Sequence, residues 1–181
     1  MKFIYLIGAP GAGKTTTMKW IRFHMGVVPR PVLQPFAHTL WMKDGDVKAT
    51  ELGANRGPFS GTDALSMSVI EKAVPFIDFL GRVGRTPVFA EGDRLSNVRF
   101  FEAIRAAGYT LKLFYLEAPE ELLAERRRQR QALYGAKAQD PTWVIGRASK
   151  ARALAQAWGA TVIPTYHPAD IIAGDILKEI A

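Results

Sequence analysis

Gly8-Ala9-Pro10-Gly11-Ala12-Gly13-Lys14-Thr15-Thr16 decides the reading of this chain. It fits the pattern G-x-x-x-x-G-K-[ST]. The apolar run Phe3-Ile4-Tyr5-Leu6-Ile7 stands directly before it, and a helix-compatible run from Thr15 to Met25, stopped by Gly26, follows. Strand, glycine-rich loop and helix in that order form the setting in which the motif holds a polyphosphate. Gly8, Gly11 and Gly13 allow unusual dihedrals that turn several backbone N–H groups toward one phosphate. The first turn of the helix adds unpaired N–H donors and the positive end of its dipole. Lys14 can reach the β- and γ-phosphates, and the Thr15 hydroxyl can ligate Mg²⁺. Ala9, Pro10, Ala12 and Thr16 complete the cradle.

Working outward, the 181 residues suggest one domain spanning 1–181, and 48% hydrophobic content is enough for an ordinary core. Cysteine is absent, so there is no disulfide framework and no thiolate metal site. The amino end runs straight into the glycine loop and reads as a first strand, not as a signal peptide. No run reaches the roughly 18 apolar residues of a membrane span. The expectation is a soluble cytoplasmic protein with no membrane partner; no protein partner is inferable.

The formal charge of +7 is concentrated. Residues 126–152 hold Arg126, Arg127, Arg128, Arg130, Lys137, Arg147, Lys150 and Arg152 against Asp140 alone, which equals the charge of the whole chain. A field placed in one segment suits phosphates or a polynucleotide.

The remaining pattern alternates strands and helices. Residues 27–35, with Pro29, Pro31 and Pro35, predict an extended connection. Residues 38–43 and 47–52 flank Asp44-Gly45-Asp46 and predict a β-hairpin lying apart from the parallel sheet, as a small antiparallel edge. Asp63 predicts the cap of a helix over 64–80. Short strands follow at 86–90, 111–116 and 161–163. Helices follow at 96–107 with Ser96 as cap, from Pro119 through the arginine run, from Asp140-Pro141 onward, and at 169–180. The fold class implied is α/β: a three-layer α/β/α sandwich around a parallel sheet, with a hairpin insertion and a short arginine-rich lid at about 126–141.

Candidate chemistry lies where strands end. Glu91 and Asp93, with Arg94, follow the apolar strand 86–90. Glu91 reads as the metal-side group with Thr15, and Asp93 as the base that accepts a proton from an acceptor hydroxyl. Arg126 and Arg130, four apart on one helix face, can point at a transferring phosphoryl group, while Arg127 and Arg128 face elsewhere. Arg147, Lys150 and Arg152 flank the apolar stripe of the next helix, able to close over a nucleotide or bind nucleic acid. Loop 55–63 offers Arg56, Phe59, Thr62 and Asp63 for a base and a phosphate. Trp20, Trp143 and Trp158 read as core, whereas Trp41 on the hairpin is the one exempted as a base-stacking candidate. His24, His38 and His167 show no metal spacing.

These residues resemble the nucleoside and nucleotide kinases. The glycine loop, the Asp93-Arg94 pair after the third-strand position and the arginine-bearing helix before a lid are similar to features of thymidylate and deoxynucleoside kinases. The resemblance implies ATP and Mg²⁺ as cofactors, and Lys14, Asp93, Arg94, Arg126 and Arg130 as the catalytic set. The stretches Phe59-Ser60-Gly61-Thr62-Asp63-Ala64-Leu65-Ser66-Met67 and Pro141-Thr142-Trp143-Val144-Ile145-Gly146-Arg147-Ala148-Ser149-Lys150 resemble small bacteriophage kinases, including those that phosphorylate 5-hydroxymethyluracil in DNA during thymidine hypermodification. That likeness implies modified DNA as acceptor; a free nucleotide or nucleoside is the alternative acceptor. A P-loop NTPase coupling hydrolysis to nucleic-acid binding is the alternative of another class. Lys14→Ala is expected to lower phosphoryl transfer by several orders of magnitude, read as loss of label moved from γ-labelled ATP; full retention would remove the enzymatic reading.

Overall fold

The computed structural model describes residues 1–54, 60–84, 86–135 and 138–180. Arg56, Phe59 and Lys137 lie outside them. Seven strands form one sheet: β1 (Lys2–Gly8), β2 (Val28–Val32), β3 (His38–Lys43), β4 (Asp46–Leu52), β5 (Val88–Glu91), β6 (Thr110–Glu117) and β7 (Thr161–Pro164). Their order is β2-β3-β4-β5-β1-β6-β7. Strands β4, β5, β1, β6 and β7 run parallel, and β3 and β2 extend the sheet antiparallel beyond β4. The helices are α1 (Lys14–Met25), α2 (Ile70–Val83), α3 (Val98–Ala106), α4 (Glu120–Tyr134), α5 (Pro141–Trp158) and α6 (Ala169–Ile180).

Strand β1 shows why the chain makes three layers. Its side chains alternate between faces. Phe3, Tyr5 and Ile7 pack with Ala73, Ile77, Phe100, Phe101, Ile104, Ala151 and Ala155 of α2, α3 and α5. Ile4 and Leu6 pack with Met18, Ile21, Ile172, Ala173 and Ile176 of α1 and α6. Both faces are covered, so the strand is an unbroken apolar run.

The hairpin does not lie apart from the parallel sheet. Asp44 and Gly45 take positive φ of 54° and 85°, which closes the tight turn foreseen. Yet β4 pairs with β5 through Thr50↔Val88, Glu51↔Phe89 and Leu52↔Ala90, so the hairpin is the flank of the main sheet. The proline-rich connection is itself the edge strand β2, a position that tolerates residues lacking an N–H donor. Trp41 is fully buried and stacks on Phe89 with 4.4 Å between centroids. It is a core residue, not a base-stacking one; Trp158 is partly buried against the core, and Trp20 and Trp143, read as core, are exposed instead. Helix α2 begins at Ile70, six residues later than the sequence predicts, because residues Gly61–Ala64 form a 3-10 turn first. Asn97, one residue past Ser96, caps α3 by accepting from the Phe100 N–H.

The residues flanking 55–59 meet. A Cβ at Gly53 would sit 2.1 Å from the Gly61 carbonyl, and the Ala54 N–H donates to that oxygen at 3.1 Å. Beneath the hairpin, Arg22 of α1 and Glu51 of β4 form a buried ion pair at 2.6 Å, and the Trp41 indole N–H donates to the same carboxylate at 2.9 Å. Burial pushes the Glu51 pKa up against the pull of Arg22.

Breaking a buried pair strands a charge, which costs more than the pair is worth. Glu51→Ala is expected to lose about 3–5 kcal/mol in urea unfolding, and the double change to Arg22→Met with Glu51→Leu to regain most of it.

Candidate active site

The carboxyl ends of β1 and β5 lie side by side, Leu6 opposite Glu91. A cavity of about 500 Å³ opens there. Ligands bind at this edge of an open α/β sheet.

The loop from Gly8 to Lys14 forms one wall. It is clamped from both sides: a Cβ on Gly8 would lie 2.6 Å from the Leu116 carbonyl of β6, and one on Gly11 would lie 2.8 Å from the Leu123 carbonyl of α4. Only glycine fits these approaches. Ala9 turns into the core, and its carbonyl accepts from the Ala12 N–H at 3.1 Å. Helix α1 starts after Gly13 with no side-chain cap and no acid in its first turn. Its leading N–H groups stay available to an anion, with the helix dipole behind them.

Lys14 bends back onto the loop, donating to the Gly8 carbonyl at 2.8 Å and the Ala9 carbonyl at 3.1 Å. Enclosure pushes its pKa down, opposed by the carboxylates of Glu91 and Asp63. The Thr15 hydroxyl donates to Glu91 Oε1 at 2.8 Å. Burial pushes the Glu91 carboxyl up to about 7, against the pull of Lys14 and the Thr15 hydrogen bond. An oxygen pair of hydroxyl and carboxylate, beside an uncapped helix, is a donor set that suits Mg²⁺ with a polyphosphate.

Helix α4 forms the opposite wall. Arg126 donates to the Thr165 hydroxyl at 3.2 Å and to the Thr165 carbonyl at 2.6 Å, which ties it to the segment after β7. Arg126 and Arg130 both line the cavity. Arg127 also has a role at this wall: it ion-pairs with Glu120 and donates to the Pro10 carbonyl at 3.1 Å, bracing the loop from behind. Arg128 turns away to Glu125. Residues 126–134 of the expected lid are the second half of α4.

The third wall holds Asp63, Asp93, Arg94 and Arg147. Asp63 accepts the Asp93 backbone N–H at 2.8 Å and fixes that turn. Asp93 is ion-paired with Arg147 and with Lys150, the latter at 3.0 Å. Arg94 reaches Met67, and its Nε is buried without a hydrogen-bond partner among the described residues. Thr62 is not part of the wall. It is fully buried behind it, its hydroxyl 3.4 Å from that of Tyr5.

The sequence reading missed Trp143, Gln129, Thr165 and His167, all of which line the cavity. For Trp143 a signal existed: Trp143, Arg147 and Lys150 recur at i, i+4 and i+7.

The parallel sheet and its glycine loop, opening on a cavity lined by acids and arginines, have the architecture of a P-loop kinase. The chain belongs to the P-loop Nucleotide Kinase3 family, whose model matches residues 1–171. Solved structures share the fold at low identity. The tunicamycin resistance protein of Deinococcus radiodurans is 17% identical, with 99% of this chain and 95% of that one covered and a TM-score of 0.58. A sugar kinase from Janibacter is 13% identical, covering 99% and 94%, with a TM-score of 0.56. A gluconokinase from Sinorhizobium meliloti is 14% identical, covering 98% and 90%, with a TM-score of 0.52. No curated protein sequence matches. Among the described residues no helix is long and apolar enough to cross a membrane.

A carboxyl raised from 4.5 to about 7 keeps its proton in the folded chain at pH values where the unfolded chain has lost it. Its contribution to stability is therefore present below pH 4.5 and is lost as pH rises through about 7. Glu91→Gln, which cannot ionise, is expected to exceed the wild type at pH 8 by about 1–3 kcal/mol. The two should converge near pH 4.5, measured by urea unfolding without nucleotide.

Proposed function

We propose that this protein transfers the γ-phosphoryl group of ATP to a hydroxyl of a nucleoside-type acceptor. The observation that carries the reading is convergence: Lys14, Thr15, Glu91, Asp93, Arg94, Arg126 and Arg130 come from three separate stretches of sequence and line one cavity.

The P-loop backbone from Gly8 to Thr16 holds the donor phosphates. Lys14, released from the loop carbonyls, pairs with the β- and γ-phosphates. Arg126 and Arg130 face the charge that spreads over the transferring group. Thr15 and Glu91 would hold Mg²⁺, which supplies neutralisation of phosphate charge. Asp93, across the cleft, accepts the acceptor hydroxyl's proton, and Arg94 and Arg147 bind the acceptor beside it, with Asp63 fixing the turn. Residues 126–141 act as the lid of a single domain spanning 1–181.

The acceptor we favour is the hydroxymethyl group of 5-hydroxymethyluracil in bacteriophage DNA. The likeness of residues 59–67 and 141–150 to phage kinases supports it, as does the basic helix α5 at the cleft. A base in duplex DNA would leave the stack to reach the donor, and affinity would fall as salt rises. A free nucleotide is the second reading, which the family assignment favours.

Asp93→Asn is expected to lower kcat by about 10²–10⁴-fold with the KM for ATP little changed. Incubation of the wild type with labelled ATP and either hydroxymethyluracil-containing DNA or mononucleotides, followed by digestion and mass spectrometry, identifies the acceptor. Label confined to mononucleotides removes DNA, and ATP hydrolysis with no phosphorylated acceptor removes the kinase reading.

A further inference from the structure

Helix α5 presents an aromatic ring and two cations in one stripe. Trp143, Arg147 and Lys150 lie at i, i+4 and i+7, a spacing that puts them on one helix face. Trp143 lines the cavity, yet 40% of it stays exposed. Asp140 accepts the Trp143 backbone N–H at 2.9 Å, which anchors the turn that carries the ring. The Arg147 guanidinium lies 5.0 Å from the centre of the indole and at the same time pairs with Asp93. The ring is therefore one side chain away from the candidate base.

The charges around Asp93 are unbalanced. Arg147 and Lys150 both press on this single carboxylate, and Arg94 beside it has an Nε with no hydrogen-bond partner among the described residues. Asp63, the other acid at this wall, accepts the Asp93 backbone N–H. More positive charge faces this half of the cleft than its own acids neutralise. Arg126, on the P-loop side, is already bonded to Thr165. An accessible indole and surplus cations together match a ligand with a flat ring next to an anion.

We propose that Trp143 is the platform on which the acceptor's base stacks, while Arg147 and Lys150 take the phosphate joined to its sugar. This rests on the phosphotransferase reading and deepens it: Trp143 becomes the residue that selects a nucleotide-type acceptor over a sugar acid. A sugar acid offers the cations an anion but offers the indole no π-face. A mononucleotide and a single-stranded DNA present the same chemistry, and the test separates them.

Calorimetric titration of the full chain with saturating ADP provides the test. The probes are thymidine monophosphate, a short oligothymidylate and D-gluconate. Trp143→Ala is expected to weaken binding of a thymidine ligand about ten-fold or more, as loss of a stacked base does. Trp143→Phe, which keeps a ring, is expected to stay within about three-fold of the wild type. Affinity for ADP, titrated alone, is expected to be the same in all three proteins. Stronger wild-type binding of the oligonucleotide assigns the platform to DNA, and stronger binding of the monophosphate assigns it to free nucleotides. The proposal is overturned by unchanged affinity in Trp143→Ala, by a loss that falls on ADP, or by a wild type that binds gluconate and neither thymidine ligand. Binding through Trp143 with no phosphate transferred to any acceptor would defeat the proposed activity and leave the platform standing.

Discussion

The hydrogen bond from the Thr15 hydroxyl to the buried Glu91 carboxylate, at 2.8 Å, joins the first turn of α1 to the end of β5. Everything at the site is arranged around this contact. It is possible because β1 and β5 are adjacent parallel strands, with Glu91 at the end of β5 set opposite Leu6, just before β1 runs into the glycine loop. The burial that makes these strands also makes Glu91 hard to ionise and Lys14 easier to deprotonate than usual. Both groups are uncomfortable with only each other for company. A polyphosphate arriving with its cation would favour the charged form of each, so binding affinity and protonation are linked at this one corner.

The fold was legible because its strongest signals are local. An unbroken apolar run, a glycine loop and a capped or stopped helix each follow from neighbouring residues. The terminal helix matches its predicted span, and Asp140 caps α5 as its position before Pro141 suggests. What the sequence does not carry is which strands become neighbours. The hairpin was recognisable from Asp44-Gly45, but its pairing with β5 depends on Thr50, Glu51 and Leu52 meeting a strand almost forty residues away. The same pairing buries Trp41 and gives it Glu51 as a partner, which reverses the expectation that this tryptophan serves a ligand.

The site divides along a similar line. The cradle was readable because its chemistry lies within one stretch of backbone. The arginines of α4 were readable in part: the four-residue spacing of Arg126 and Arg130 puts them on one face. Arg127 looked idle because its target, the Pro10 carbonyl, is across the fold. Thr62 has a hydroxyl and sits in a promising loop, yet solvent exposure depends on tertiary packing and here it is nil. Trp143 was assigned to the core because tryptophan usually is; its helical register with Arg147 and Lys150 held the contrary information.

The meeting of Gly53 and Gly61 has an evolutionary consequence. Because the Ala54 N–H is latched to the Gly61 carbonyl, the chain between these glycines departs and returns at nearly one point. A segment anchored that way can change length or composition at a small entropic cost, since closure depends only weakly on the number of residues enclosed. Gly61 in turn sits directly against Glu91, so the anchor and the carboxylate are a single rigid joint. Change in the number of residues between the two glycines is therefore tolerated without moving Gly61 off Glu91, so the phosphate machinery stays in register.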